Sequence, residues 1–111
     1  MNKRLASLLS LCTKAGMLRT GEESAEKLLQ SGSAEFVIIA GDASDNTKKK
    51  FTNKCFYYDI PIRIFGERDE LSKCVGKQNR TVYAITDSNF AKRIQSLIDE
   101  SIDSENISKV E

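Results

Sequence analysis

Three kinds of side chain in this sequence could do chemistry: its cysteines, its neighbouring carboxylates, and the lysines and arginines that fall close to glycine-marked turns. Histidine is absent, which removes the commonest general base and metal ligand. The three cysteines, Cys12, Cys55 and Cys74, are odd in number and widely spaced. Each falls on the apolar side of a helical pattern, so they read as small buried hydrophobes in a reducing compartment rather than as a disulfide, metal or nucleophilic set. The acidic pairs Glu22/Glu23 and Asp42/Asp45 stand at expected helix starts, where unpaired backbone N–H groups and the helix dipole favour carboxylates, so capping explains them. No glycine-rich phosphate loop and no Gly-x-Ser-x-Gly elbow occurs. An acid after one strand (Asp42) and a threonine ending another (Thr86) fall short of a phospho-receiver site, because the early acidic pair and the strand count are missing. The expectation is a chain that is not an enzyme and holds no metal or cofactor.

The cations remain. Lys27 follows a helix start at 21–24 whose free N–H donors could hold a phosphate or a base edge, with an ammonium beside them. Lys48-Lys-Lys50 and Lys77-x-x-Arg80 add positive potential, although a lysine triplet is more often a solvated helix face. Residues 1–93 carry 16 Lys/Arg against 11 Asp/Glu, whereas 94–111 carry one lysine against five acids. A basic body with an acidic end is compatible with a polyanionic partner.

The elements that must position these groups follow from periodicity. Leu5, Leu8, Leu9 and Cys12 mark a helix stopped at Gly16, and Met17-Leu-Arg19 reads as a brief edge strand. Thr20-Gly-Glu-Glu23 has the form of a capping box for a helix burying Ala25, Leu28 and Leu29. Phe36-Val-Ile-Ile-Ala40 is a strand covered on both faces. A third helix follows with Phe51, Cys55 and Tyr58 inward, then a strand at 62–65, a helix at 67–75 and a strand at 81–85. A last helix from about 88 to 101 buries Phe90, Ile94, Leu97 and Ile98. Residues 1–102 are thus expected to form one domain, and 103–111, acidic and without periodicity, a flexible tail. No apolar run is long enough to cross a bilayer and the N-terminal stretch is not a signal peptide, so the expected location is the cytoplasm.

Alternating helices and buried strands imply an α/β fold, a three-layer α-β-α sandwich with right-handed crossovers. In such a sandwich the loops 20–24, 41–46 and 76–80 gather at one sheet edge, where ligands usually bind.

Taken together, Lys14-Ala-Gly16, Gly21-Glu-Glu-Ser-Ala-Glu-Lys27, Phe36-Val-Ile-Ile-Ala40-Gly-Asp-Ala-Ser44, Asn46-Thr-Lys-Lys-Lys50, Cys55…Tyr58…Ile60-Pro61, Glu70-Leu71…Gly76-Lys77 and Val82-Tyr-Ala-Ile85 carry a family likeness. The chain resembles the kink-turn RNA-binding superfamily of large-subunit ribosomal proteins, of the L-seven-A and L-thirty types, and most of all its small bacterial YlxQ-type members. The likeness implies a four-stranded mixed sheet and recognition of a kink-turn, a sharply bent RNA helix with sheared G·A pairs. A kinked helix exposes base edges that A-form RNA hides. It further implies that the start of the second helix reads those pairs and that the loop before the last strand covers the bulged nucleotides. The candidate RNA-binding residues are Lys14, Arg19, Gly21, Glu22, Glu23, Ser24, Lys27, Lys48, Lys77 and Arg80. Glu23 and Ser24 depart from the residue types more usual in the family, and the loop Lys77-Gln-Asn-Arg80 is polar where many members are apolar. The implied partners are structured RNA, ribosomal RNA included, and the ribosome; neither DNA nor a membrane is expected. An alternative reading keeps the fold but makes the chain a protein-interaction adaptor, favoured by the acidic pair Glu22-Glu23.

Overall fold

A computed structural model describes residues 1–110, with side chains described through Ser104. The first helix, α1 (Lys3–Lys14), starts where the Asn2 side chain accepts the Leu5 N–H at 2.9 Å, and it buries Leu5, Leu8, Leu9 and Cys12. Strand β1 (Leu18–Thr20) follows, displaced by one residue from the expected position. Then come α2 (Glu22–Gln30), β2 (Phe36–Ile39), α3 (Asp45–Tyr58), β3 (Ile62–Ile64), α4 (Arg68–Cys74), β4 (Val82–Ile85) and α5 (Ser88–Val110).

The strands form one mixed sheet in the order β1-β4-β2-β3. Strand β4 runs antiparallel to both neighbours, with Leu18 opposite Ile85 and Ile39 opposite Val82, while β2 and β3 are parallel. Successive strand residues face opposite sides. Phe36, Ile38, Tyr83 and Ile85 pack with Leu5, Leu9, Leu71, Ile94 and Ile98 beneath α1, α4 and α5. Val37, Ile39, Val82 and Ala84 pack with Ala25, Leu29, Phe51 and Cys55 beneath α2 and α3. The result is the three-layer sandwich, with its sheet covered on both faces.

Four expectations need correction. Leu28, Tyr58 and Phe90 pack against the core only half-buried, as does Cys74. The box expected at Thr20 and Glu23 does not form: Thr20 is the last residue of β1, opposite Tyr83, and Gly21 is the N-cap without a side-chain bond. The next N–H, that of Gly21, extends the pairing with β4 by donating to the Val82 carbonyl at 2.9 Å. Asp42 does not cap α3, since Ser44 does so by accepting the Thr47 N–H. Finally, α5 continues past its expected end at about 101 to Val110; Glu111 lies outside the described residues. No glycine or proline stops it, and Ile102, one turn after Ile98, packs against the core.

Candidate nucleic-acid interface

Because β4 is antiparallel to β1 and β2, its amino end lies beside their carboxyl ends. The Gly21 N–H reaches the Val82 carbonyl, the Ala40 N–H reaches the Thr81 carbonyl at 2.9 Å, and the Gly41 N–H reaches the Gly66 carbonyl at 2.7 Å. These three bonds draw the loops 20–24, 41–46 and 76–80 to one sheet edge. Close approach is a condition of the last contact, since a Cβ on residue 41 would stand 2.9 Å from the Gly66 oxygen.

Gly21 turns the chain from strand to helix at φ +100°, ψ 153°, a region open in practice only to glycine. A glycine cap brings no side chain, so among the described residues the N–H groups of Glu22, Glu23 and Ser24 have no protein acceptor. They form an exposed donor cluster at the positive end of the helix dipole. The two carboxylates beside them are already matched by lysines. Glu23 pairs with Lys27 at 3.2 Å, one turn on, and Glu22 lies 3.6 Å from the Lys50 ammonium. Lys50 also contacts the Glu26 carboxylate, so one cation from α3 ties two turns of α2. Its hydrogen bond is the main reason why Glu26 titrates below its usual range. The Glu23–Lys27 pair is exposed on both sides, and such pairs contribute only about 0.3–0.5 kcal/mol, so Lys27 is easily released to a phosphate.

The loop before β4 carries Lys77 and Arg80 on the surface, yet its backbone is pinned from within. Ser72, the one buried polar side chain among the described residues, accepts the Arg80 N–H at 2.9 Å. Tyr83 donates to the Arg80 carbonyl at 2.7 Å and lies 3.0 Å from the Ser72 hydroxyl. Burial pushes the Tyr83 phenol up, partly offset by Ser72. Asn79 takes a left-handed φ of +56° in the same loop.

Of the remaining candidates, Lys48 sits in the first turns of α3, at this edge. Arg19 is exposed in mid-β1, opposite Ala84, which faces the α2 layer. Lys14 is not brought to the edge. It ends α1 near the start of β1, at the far end marked by the Thr86 N–H to Met17 carbonyl bond.

Sequence reasoning named Lys50 only as part of a lysine triplet, and it missed Ser72, Tyr83 and an Asp42–Arg68 clamp. In the clamp, Asp42 Oδ1 accepts the Arg68 N–H at 2.8 Å and the Arg68 guanidinium donates to the Asp42 carbonyl at 2.9 Å. That N–H, above all, holds the Asp42 carboxyl below its ordinary range. The clamp closes the β2–α3 turn against the start of α4 and explains Asp42 without chemistry. A serine between Leu71 and Lys73 in the mostly polar α4 carries no sequence signal of burial, and the other contacts join distant segments and have no local signature.

Nothing in this arrangement activates a thiol. Burial pushes Cys12 and Cys55 up to about 11, and Cys74 upward as well. Among the described residues, no three His, Cys, Asp or Glu side chains gather as metal ligands, and no helix is long and apolar enough to cross a membrane.

Comparison with known proteins gives a consistent result. Residues 3–95 match the model of the ribosomal protein L7Ae/L30e/S12e/Gadd45 family. The RNA-binding protein YlxQ of Bacillus subtilis (strain 168) is 39% identical over 92 residues, covering 83% of this chain and 92% of that protein. The RNA-binding protein YlxQ of Enterococcus faecium is 39% identical over 98 residues, covering 87% and 93%. A solved structure of a protein of unknown function from Bacillus halodurans C superposes with a TM-score of 0.85 at 39% identity, covering 88% of this chain and 99% of that one. The 15.5kD RNA binding protein of Giardia lamblia shares the fold, with a TM-score of 0.72 at 22% identity over 90% of this chain and 92% of its own.

Proposed function

The chain belongs to the ribosomal protein L7Ae/L30e/S12e/Gadd45 family, and on that premise we propose that it binds structured RNA of the kink-turn type. It acts by binding rather than catalysis, in the cytoplasm, in association with the ribosome or translation. The observation that carries this reading is the cluster of unpartnered N–H groups at Glu22, Glu23 and Ser24, set on a sheet edge shared with Lys48, Lys77 and Arg80. A helix N-terminus offers donors and positive potential to phosphate and to base-edge acceptors. A straight A-form duplex presents its base edges poorly to such a site, whereas a kinked one opens them.

In this reading α2 enters the opened groove, the Lys77–Arg80 side of the loop before β4 lies against the displaced nucleotides, and Lys27 exchanges Glu23 for a phosphate. The adaptor alternative leaned on Glu22 and Glu23 as an acidic surface. Each has a lysine partner, which leaves little net negative charge for a protein to read. The test is a gel-shift comparison of a kink-turn RNA with a straight duplex of equal charge at moderate salt. Tighter binding of the kink-turn is expected; equal affinity would sink specific recognition.

A further inference from the structure

The most anomalous surface feature lies away from the site edge. Phe56 and Tyr57, adjacent near the carboxyl end of α3, are 88% and 79% exposed. The core makes no use of them, because α3 buries Phe51 and Cys55 on its other face. Two large aromatic side chains side by side in water mark a contact surface rather than scattered apolar exposure. Tyr57 is also oriented, its ring meeting that of half-buried Tyr58 edge-on at 4.9 Å and 87°.

Their surroundings identify the occupant. Between Asp45 and Asp59, α3 carries Lys48, Lys49, Lys50 and Lys54 and no further acid. Of these four lysines, only Lys50 is in an ion pair among the described residues. Lys49, Asn53 and Phe56 fall at i, i+4 and i+7, so cation, amide and aromatic share one outer stripe. Exposed aromatic faces interleaved with unpaired lysines are what an unpaired nucleic-acid strand needs: bases stack on rings while phosphates meet cations. A second copy of this chain would bring lysines against lysines. The helix also leads from the site, since Ser44 caps it at the sheet edge and the aromatic end lies about 20 Å along its axis.

We propose that the outer face of α3, with Phe56 and Tyr57 as stacking platforms and Lys49 and Lys54 as phosphate contacts, binds an unpaired RNA strand that leaves the structured element held at the sheet edge. The proposal rests on the RNA reading above and extends it to a second class of RNA, single-stranded flanks.

The experiment uses five RNAs: a blunt kink-turn, two versions of it with eight adenosines added to one strand end or to the other, a free octamer of adenosine, and the straight duplex of the preceding test. Wild type and the F56A/Y57A double variant are titrated with each by fluorescence anisotropy. Both substituted side chains are solvent-exposed, so the variant should keep the wild-type melting temperature and bind the blunt kink-turn equally. One of the two extensions is expected to tighten wild-type binding about 10-fold, a gain lost in the variant, with weaker octamer binding and tyrosine quenching lost in parallel. An octamer that binds neither protein, or both alike, overturns the platform whichever way the kink-turn comparison falls. A gain from neither extension overturns its connection to the sheet edge. A wild-type dimer in sedimentation, dissolved by the double substitution, would assign the aromatic pair to self-association instead. Failure of the RNA reading itself has a different signature: blunt kink-turn and duplex bind alike while the octamer result stands by itself.

Discussion

Ser72 and Arg80, on either side of the turn between α4 and β4, are joined by a hydrogen bond from the Arg80 N–H to the buried Ser72 hydroxyl at 2.9 Å. The loop that carries Lys77 and Arg80 is thus held by its backbone, which leaves its charged side chains free. Ser72→Ala should destabilise the protein by about 1–3 kcal/mol, because it strands an N–H that the fold has partly buried. Hydrogen exchange at the Arg80 amide should accelerate by more than exchange in α1. Equal acceleration everywhere would mean that the serine supports the domain and not the loop.

Lys27→Ala should weaken kink-turn binding severalfold and lower the salt slope by about one, as expected for one lost phosphate contact. The melting temperature should hold, because the exposed Glu23–Lys27 pair contributes only about 0.3–0.5 kcal/mol. Unchanged affinity would remove Lys27 from the interface, while a large loss of stability would make it structural.

Glu23→Asn should strengthen kink-turn binding, most at low ionic strength, since it frees Lys27 and removes a negative charge that would face phosphate at the proposed site. With no capping box at Thr20, the cost in stability should stay within a few tenths of a kcal/mol. Weaker binding would show that the carboxylate itself accepts from a base, as a guanine amino group permits.

The buried thiols give a pH dependence of definite sign. Cys12 and Cys55 hold their protons up to about 11 in the folded chain, against 9.0 for an unperturbed thiol. Between those values the unfolded chain binds fewer protons, so stability falls as pH rises from about 9 to 11. Urea midpoints should decline across that window, and less steeply for a Cys12→Ala, Cys55→Ala double variant. Parallel declines would exonerate the thiols.

Much of this architecture was legible in the residues. The spacing of Leu5, Leu8, Leu9 and Cys12 located α1, and Phe36 to Ile39 announced a strand buried on both faces. The three loops were placed at one edge from chain order alone. What escaped was decided by competition between distant groups. Thr20 matched a capping box, but β4 claimed it for the sheet and claimed the Gly21 N–H as well. Asp42 looked like a cap until Arg68, 26 residues on, took it. Lys14 belonged to the family motif, yet the short β1 carries it to the opposite end of the sheet. Periodicity sees which face is apolar, and it does not see which polar partner wins.

Strand β4 separates β1 from β2, although it is the last of the four to be made. During synthesis the nascent chain holds Leu18–Thr20 and Phe36–Ile39 with no strand between them until Val82–Ile85 emerges. Long-range pairing of this kind waits for its most distant segment. A product cut short before residue 82 therefore encodes α2 and α3 but lacks the strand that joins β1 to β2, so the edge proposed as the RNA site would not be assembled in a truncated copy.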